Sequence, residues 1–231
     1  MGWHSGPRLK VGSQRADFMM ASASFTRDAL ADLLAEMGVG AHAKRTGDAA
    51  PDVTLRGAGG STVRLLDYWR RGPLILVFFR GGWCSYCALT LRDWQRCHPV
   101  LLQLGATLLA ISPQSPEKSQ ATPAENGLDF PLLCDTELLA ASAFGIAFTV
   151  PPELVEYFAE IGTDIPVLNG NGLWALPVPA TYVIDTRGVI RYADVEPDYR
   201  KRADPASVLS ALDRWLKGGL SPVSPDQASR P

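Results

Sequence analysis

A buried strand that runs directly into a pair of cysteines constrains the fold of this chain more than any other feature. The run Pro73–Phe79, PLILVFF, is continuously apolar and rich in β-branched and aromatic residues. Such a run is typical of a central strand that is buried on both faces. From Cys84 onward the apolar positions recur at helical spacing. The sequence therefore predicts a strand, a tight turn and a helix, with Cys84 and Cys87 in the first turn of the helix.

Further strands and helices are predicted on either side of this unit. Ala106–Ser112 predicts a second buried strand, Val53–Leu55 a short edge strand, and Thr181–Val195 a hairpin. Pro99 is expected to kink or end the helix that carries the cysteines. Asp204, followed by proline, predicts the start of a closing helix. This order predicts an α/β fold with a mixed central sheet flanked by helices.

The chain divides into an N-terminal extension, one domain and a tail. Residues 1–46 form the predicted extension and carry one amphipathic helix, Ser24–Met37. Residues 47–216 form the α/β domain, and residues 217–231 are predicted to be a disordered tail because they lack apolar periodicity. Within the domain, Thr149–Pro179 is an insert with one predicted helix and a loop rich in Gly, Asn and Pro.

Composition excludes several classes of function. The 231 residues are 46% hydrophobic and carry a formal net charge of -2, which gives no electrostatic footprint for nucleic acid. No apolar run is long enough to span a membrane, and the N-terminus lacks the apolar core of a signal peptide. Four cysteines are too few for a disulfide scaffold. We therefore expect thiol chemistry in a reducing compartment, the cytoplasm.

The cysteine pair allows three interpretations. A zinc site would draw on Cys84, Cys87, Cys97 and His98, but ten helical residues place Cys97 about 15 Å from Cys87, whereas zinc needs each sulfur within about 2.3 Å. No metal site is therefore predicted. The second interpretation is that the cysteines are simply small buried residues, and this interpretation is preferred for Cys97 and Cys134.

Redox chemistry is the third interpretation, and the position of the pair favours it. The N-terminus of a helix carries a partial positive charge and free N–H groups, both of which stabilise a thiolate. The thiolate is the attacking form of cysteine, and a second thiol in the same turn can form a disulfide with it. Gly81 and Gly82 allow the backbone to turn tightly before the pair.

Five stretches between Gly47 and Trp215 carry a resemblance to a known family. In order they are GDAAPDVTL, LVFFRGGWCSYC, LLAISPQSPE, FPLLCD and VPATYVIDTRGVIRY. They resemble the AhpC/TSA peroxiredoxin-like branch of the thioredoxin superfamily. The resemblance implies a thioredoxin-like fold and reduction of hydroperoxides, without a cofactor. It also implies a thioredoxin-like or small-thiol electron donor, with a homodimer as a further expected assembly.

Two templates assign the cysteines differently. The first template is the peroxiredoxin signature Pro-x-x-x-Thr-x-x-Cys. When this sequence is aligned with it, Arg80 takes the place of the proline, Cys84 that of the threonine and Cys87 that of the peroxidatic cysteine. The arginine that usually precedes the late strand is absent, and Arg80 is a candidate substitute. Val178-Pro179 instead resembles the cis-proline loop of thioredoxins, in which the first cysteine attacks. The identity of the attacking sulfur is therefore open.

The aromatic residues around the pair are further candidates. Trp83 and Tyr86, together with Val178 and Pro179, are predicted to bind a substrate or partner. The leading hypothesis is a thiol-dependent peroxidase that uses Cys84 and Cys87 as a redox-active disulfide. The alternatives are a thioredoxin-like protein disulfide oxidoreductase and a non-enzymatic redox switch or partner-binding module.

Overall fold

A seven-stranded sheet lies at the centre of the computed structural model, which describes residues 27–218. In chain order the strands are β1 (Thr54–Gly57), β2 (Thr62–Arg64), β3 (Leu74–Phe78), β4 (Thr107–Ser112), β5 (Leu132–Cys134), β6 (Ala147–Thr149), β7 (Ala175–Pro177), β8 (Ala180–Ile184) and β9 (Ile190–Val195). The sheet has the order β2–β1–β5–β4–β3–β8–β9, and β6 and β7 form a separate pair. β4 runs parallel to both β3 and β5, and the other neighbours are antiparallel. The predicted mixed sheet is confirmed.

Strand β3 is the buried central strand that its sequence predicts. All five of its residues are buried, because β4 and β8 flank it and helices cover both faces of the sheet. Successive side chains of a strand point to opposite faces. Leu74, Leu76 and Phe78 therefore enter one core cluster, whereas Ile75 and Val77 enter the other.

Helices of very different length surround the sheet. They are α1 (Arg27–Glu36), α2 (Leu65–Trp69), α3 (Ser85–Gln103), α4 (Pro116–Ser119), α5 (Ala121–Asn126), α6 (Leu139–Ala143), α7 (Pro152–Glu160), α8 (Ile165–Asn169) and α9 (Pro205–Leu216). Helices α3 and α9 contact each other and pack on the face that Ile75 and Val77 enter, through Leu91, Trp94, Val208 and Leu212. As predicted, Asp204 caps α9 by accepting from the N–H groups of Ala206 and Ser207.

One local expectation is wrong in part and another is wrong. Of the two outcomes expected at Pro99, a kink or an end, the end does not occur: helix α3 continues to Gln103, with the Leu104 N–H donating to the Val100 carbonyl at 3.1 Å. Strand β1 is not an edge strand, because it pairs with β2 on one side and β5 on the other. The proline that suggested an edge position, Pro51, precedes β1 and takes no part in its ladder.

The insert Thr149–Pro179 is more structured than predicted. Its predicted helix is α7, and its loop contains a second helix, α8, which begins after Asp164 and ends at Asn169. Asp164 accepts from the Val167 N–H, and Gly170 adopts the left-handed conformation that ends many helices.

The ends of the chain are only partly described. Helix α1 confirms the helical part of Ser24–Met37 from Arg27 onward, and residues 24–26 lie outside the described residues. The predicted tail also lies outside them apart from residues 217 and 218, so the three-part division of the chain stays a prediction. Within residues 27–218, no helix is both long and apolar enough to cross a membrane.

Candidate active site

The cysteine pair lies where β3 ends and α3 begins. Cys84 is the residue immediately before the first turn of α3, and Cys87 lies within that turn. The backbone turns sharply at Gly81, where φ is +147° and where a Cβ would lie 2.3 Å from the indole nitrogen of Trp83. Glycine is therefore required at this position. The predicted strand–turn–helix arrangement is confirmed.

Cys84 has the surroundings of a stable thiolate. The Nη2 of Arg80 lies 3.0 Å from its sulfur, and a hydrogen bond from the Cys87 thiol favours its ionised form. The thiol hydrogen bond and the guanidinium charge outweigh the effect of burial and lower the pKa of Cys84 to about 5. Cys84 is therefore mainly ionised at neutral pH, which is the form in which cysteine attacks.

Cys87 has the opposite protonation. Its side chain is fully buried, and its thiol donates to the Cys84 sulfur. That hydrogen bond, burial and the negative charge of Cys84 together raise the pKa of Cys87 well above its usual range, although Arg80 and Arg202 oppose them. The reduced pair therefore holds one negative charge on Cys84 and one proton on Cys87.

Arg80 provides the positive charge of the site. Its side chain is buried within the site, only 7% exposed, rather than extended into solvent. Its guanidinium lies 4.3 Å from the centroid of the Tyr199 ring and 5.5 Å from that of Trp83. Burial opposes ionisation, but the two cysteine sulfurs, Cys84 first, together raise the pKa of Arg80 overall. Arg80 thus occupies the electrostatic role proposed for it from the sequence.

Two residues of the site were missed by the sequence analysis. Tyr199 packs edge-on against Tyr86, with ring centroids 5.6 Å apart, and its ring also covers Arg80. Arg202 places its Nη2 3.7 Å from the Cys87 sulfur, across 115 positions of sequence. Both belong to an irregular segment between β9 and α9, where no periodic pattern points to a contact.

Trp83 joins the cysteine loop to the insert. Its indole N–H donates to the Oδ1 of Asn169 at 2.8 Å, and Asn169 is fully buried at the end of α8. Gln114 adds a second connection, since it accepts from the Gly82 N–H at 2.7 Å and donates to the Leu168 carbonyl at 3.3 Å. The insert therefore forms one wall of the site, while binding of a partner by Trp83 and Tyr86 stays a prediction.

The cis-proline interpretation of Val178-Pro179 is wrong, because every peptide bond in the described residues is trans. The two residues continue the extended path between β7 and β8. The Val178 N–H donates to the Ile146 carbonyl at 2.7 Å, and the Pro179 carbonyl accepts from the Glu196 N–H at 3.2 Å. Val178 packs in the core on the opposite sheet face from Cys84 and Cys87. A role of these two residues in binding a partner stays a prediction.

The remaining cysteines and the candidate histidine lie apart from the pair. Cys97 is half-buried on α3, which is unbroken between it and Cys87. His98 stacks edge-on against Phe130, with centroids 5.6 Å apart. Cys134 is buried, with its sulfur 3.5 Å from the Ser119 hydroxyl. No cluster of three or more His, Cys, Asp or Glu side chains suited to a metal ion occurs in the part of the chain that the structure describes.

Comparison with known proteins identifies the family. Residues 46–193 match the family model described as AhpC/TSA family. The chain belongs to the AhpC/TSA family. Peroxiredoxin Bcp of Bacillus subtilis is 33% identical over 100 residues, which cover 43% of this chain and 63% of that protein. The putative peroxiredoxin Rv2521 of Mycobacterium tuberculosis is 33% identical over 99 residues, covering 43% and 62%. These matches thus span less than two thirds of either relative.

Solved structures of the family share the fold. Peroxidoxin BcpB from Mycobacterium tuberculosis superposes with a TM-score of 0.58 at 21% identity, covering 74% of this chain and 97% of that one. The bacterioferritin comigratory protein of Xanthomonas campestris gives 0.57 at 16% identity, covering 74% and 98%. At these identities the likeness concerns the fold alone. It confirms the thioredoxin-like fold that the resemblance implied.

Proposed function

We propose that this protein is a thiol-dependent peroxidase in which Cys84 attacks a hydroperoxide and Cys87 closes a disulfide with it. The observation that carries the proposal is the thiolate environment of Cys84, with Arg80 at 3.0 Å and the Cys87 thiol as a hydrogen-bond donor. Membership of the AhpC/TSA family supports the peroxide substrate. The Xanthomonas protein of the same fold is described as having alkyl peroxide reduction activity.

The first step forms a sulfenic acid on Cys84. Its thiolate attacks the terminal oxygen of the hydroperoxide, an S–O bond forms and the O–O bond breaks. The sulfur is oxidised, and the leaving alkoxide or hydroxide takes a proton from solvent to become an alcohol or water. The guanidinium of Arg80, which already faces the sulfur, stabilises the negative charge that passes to the peroxide oxygens.

The second step closes the disulfide. Cys87 loses its proton and attacks the Cys84 sulfur, so that an S–S bond forms and hydroxide leaves, which that proton converts to water. Two thiols of an external donor, a thioredoxin-like protein or a small thiol, then reduce the disulfide and are themselves oxidised to a disulfide. Such a donor is available in the cytoplasm, where we place the protein. Assembly as a homodimer stays a prediction.

A protein disulfide oxidoreductase is the second candidate. It is favoured by the assignment of the thiolate to the first cysteine of the pair, as the thioredoxin template expects. Burial opposes it, because Cys84 is only 4% exposed and Cys87 is fully buried. A protein disulfide must bring its own sulfur into line with the attacking sulfur, whereas a small hydroperoxide can enter a narrow opening. The burial of Cys84 therefore favours peroxide over a protein substrate.

Oxidation by one equivalent of hydrogen peroxide tests the proposal. Fully reduced protein is mixed with peroxide, quenched at intervals with and without dimedone, and mapped by mass spectrometry. We expect dimedone-trapped sulfenic acid at Cys84, followed by a Cys84–Cys87 disulfide. Cys87→Ser should retain the sulfenic acid and lose the disulfide, whereas Cys84→Ser should lose the rapid reaction. Slow, unselective oxidation of all four cysteines would reject the peroxidase and favour the oxidoreductase.

A further inference from the structure

The guanidinium of Arg202 is fixed beside the sulfur of Cys87. Its Nη1 donates to the backbone carbonyls of Tyr199 and Lys201, which hold the side chain against its own segment. Its Nη2 then lies 3.7 Å from the Cys87 sulfur. Arg80 instead makes its sulfur contact with Cys84, at 3.0 Å. Each sulfur of the pair therefore has its nearest guanidinium from a different arginine, although the charge of Arg80 also acts on Cys87.

Three charged or titratable groups determine the ionisation of Cys87. The negative sulfur of Cys84 keeps the proton on Cys87, whereas Arg80 and Arg202 favour its loss. Within residues 27–218, neither guanidinium forms an ion pair with a carboxylate, but the charge of Arg202 also acts on the Asp194 carboxyl, whose pKa is raised overall by burial. In the reduced protein the hydrogen bond to Cys84, burial and the Cys84 charge together outweigh both arginines.

Oxidation of Cys84 reverses this balance. A sulfenic acid is neutral, so the negative charge that kept Cys87 protonated is gone while both guanidinium groups remain. A positive charge close to a buried thiol favours its thiolate. We propose that Arg202 is a catalytic residue of the disulfide-closing step, where it stabilises the Cys87 thiolate that attacks the oxidised Cys84 sulfur. This proposal rests on the peroxidase function proposed above.

The proposal balances in atoms and charge. Arg202 is protonated before and after the step and transfers no proton. The Cys87 proton leaves to solvent, the Cys87 thiolate attacks the Cys84 sulfur, and the S–O bond breaks to release hydroxide. When the donor later reduces the disulfide, Arg202 also stabilises Cys87 as the leaving thiolate if the donor attacks Cys84. Arg202 thus acts on Cys87, whereas Arg80 acts on the first attack by Cys84.

The two steps can be measured separately in one experiment. Sulfenic acid formation and disulfide closure are followed by acid quench and mass spectrometry after one equivalent of hydrogen peroxide, from pH 5 to pH 9. Arg202→Met should slow closure about tenfold at pH 7 and move the midpoint of its pH profile upward. Sulfenic acid formation should stay within about twofold of the wild type, because the Arg80 contact to Cys84 is retained. Arg202→Lys, which keeps the charge, should recover most of the closure rate.

Arg200→Met is the matched control, because Arg200 belongs to the same segment but pairs with Asp198 at 2.8 Å. Arg200→Met should leave the midpoint of the pH profile of disulfide closure unchanged. Arg202 would lose its proposed role if Arg202→Met closed the disulfide at the wild-type rate, if both steps slowed equally, or if Arg200→Met reproduced the effect.

A peroxide-free measurement separates this proposal from the peroxidase function. In a Cys84→Ser background, the pH midpoint of iodoacetamide labelling at Cys87 is compared with and without Arg202→Met. An upward shift supports the role of Arg202, and an unchanged midpoint overturns it. Absence of sulfenic acid in the wild-type protein would reject the peroxidase function itself, and the labelling midpoint would still decide whether Arg202 stabilises the Cys87 thiolate.

Discussion

Closing the Cys84–Cys87 disulfide should remove a pH-dependent contribution to the stability of this protein. In the reduced protein the Cys87 thiol and Arg80 lower the pKa of Cys84 to about 5, compared with about 8.5 for cysteine in an unfolded chain. Neither sulfur titrates in the disulfide, so this contribution is absent from the oxidised protein. The difference in unfolding free energy between the two forms should therefore depend on pH.

The sign follows from the direction of the shift. Because the pKa of Cys84 is lower in the folded state, the unfolded chain binds more protons between about pH 5 and about pH 8.5. The stabilisation of the reduced protein is complete above about pH 8.5 and is lost as the pH falls through about 5. One pH unit corresponds to about 1.4 kcal/mol. The unfolding free energy of the reduced form, minus that of the oxidised form, should thus rise by about 2 kcal/mol from pH 5 to pH 7.

Urea unfolding of both forms between pH 5 and pH 8 measures this difference. Carboxylates and histidines are common to the two forms, so their titration largely cancels. The short loop that the disulfide closes changes the unfolding free energy by an amount that does not depend on pH. Cys87 adds nothing in this range, because its raised pKa keeps it protonated in the folded state and the unfolded thiol is also mainly protonated.

Arg80→Met provides the control for the electrostatic origin. It removes the guanidinium that faces the Cys84 sulfur at 3.0 Å and keeps a side chain of similar length. The rise between pH 5 and pH 7 should shrink in this variant, because Cys84 then ionises at higher pH. A wild-type difference that changes by less than about 0.5 kcal/mol over the same range would refute a low pKa at Cys84.

Three further predictions concern the same site. Arg80→Met should move the pH midpoint of iodoacetamide labelling at Cys84 above about 5, and Arg80→Lys should move it less; mass spectrometry of labelled peptides measures both. Cys84→Thr restores the threonine of the family signature and removes the negative charge beside Cys87. Iodoacetamide labelling of Cys87 at pH 7 should then become faster than in the wild type. An unchanged rate would contradict the role of Cys84 in raising the pKa of Cys87. Asn169→Ala leaves the indole N–H of Trp83 without its acceptor and should lower the free energy of urea unfolding by about 1–3 kcal/mol. A change near zero would show that this hydrogen bond does not stabilise the cysteine loop.

The parts of the fold that could be predicted are those with a strong local pattern. β3 is continuously apolar, and the helical spacing after Cys84 is long enough to exclude a strand. The position of the cysteine pair at the start of α3, with Cys84 just before the helix and Cys87 in its first turn, followed directly from these two neighbours. The role of Arg80 could also be predicted from local sequence, because only four positions separate it from Cys84.

The rest of the site depends on contacts that no local pattern encodes. Arg202 reaches Cys87 only because the β8–β9 hairpin and α9 carry its irregular segment back over the start of α3. Asn169 reaches Trp83 from α8, 86 positions away, in a loop that was predicted to be irregular. Pro179 was interpreted by analogy with a short motif. The backbone hydrogen bonds that keep its segment extended become visible only once Ile146 and Glu196 are placed beside it.

The replacement of the signature threonine by Cys84 explains why the negative charge lies one turn earlier than the family pattern implies. The residue before a helix lies beside the free N–H groups and the positive end of the helix dipole, which favour a negative charge at that position. Cys87 lies deeper, is fully buried and donates its own proton to Cys84. Two negatively charged sulfurs in this pair would repel each other, so only one sulfur of the reduced pair carries the charge. Arg80, which lies 3.0 Å from Cys84, favours the charge on the first cysteine, and this supports the proposal that Cys84, rather than the signature cysteine, is the nucleophile.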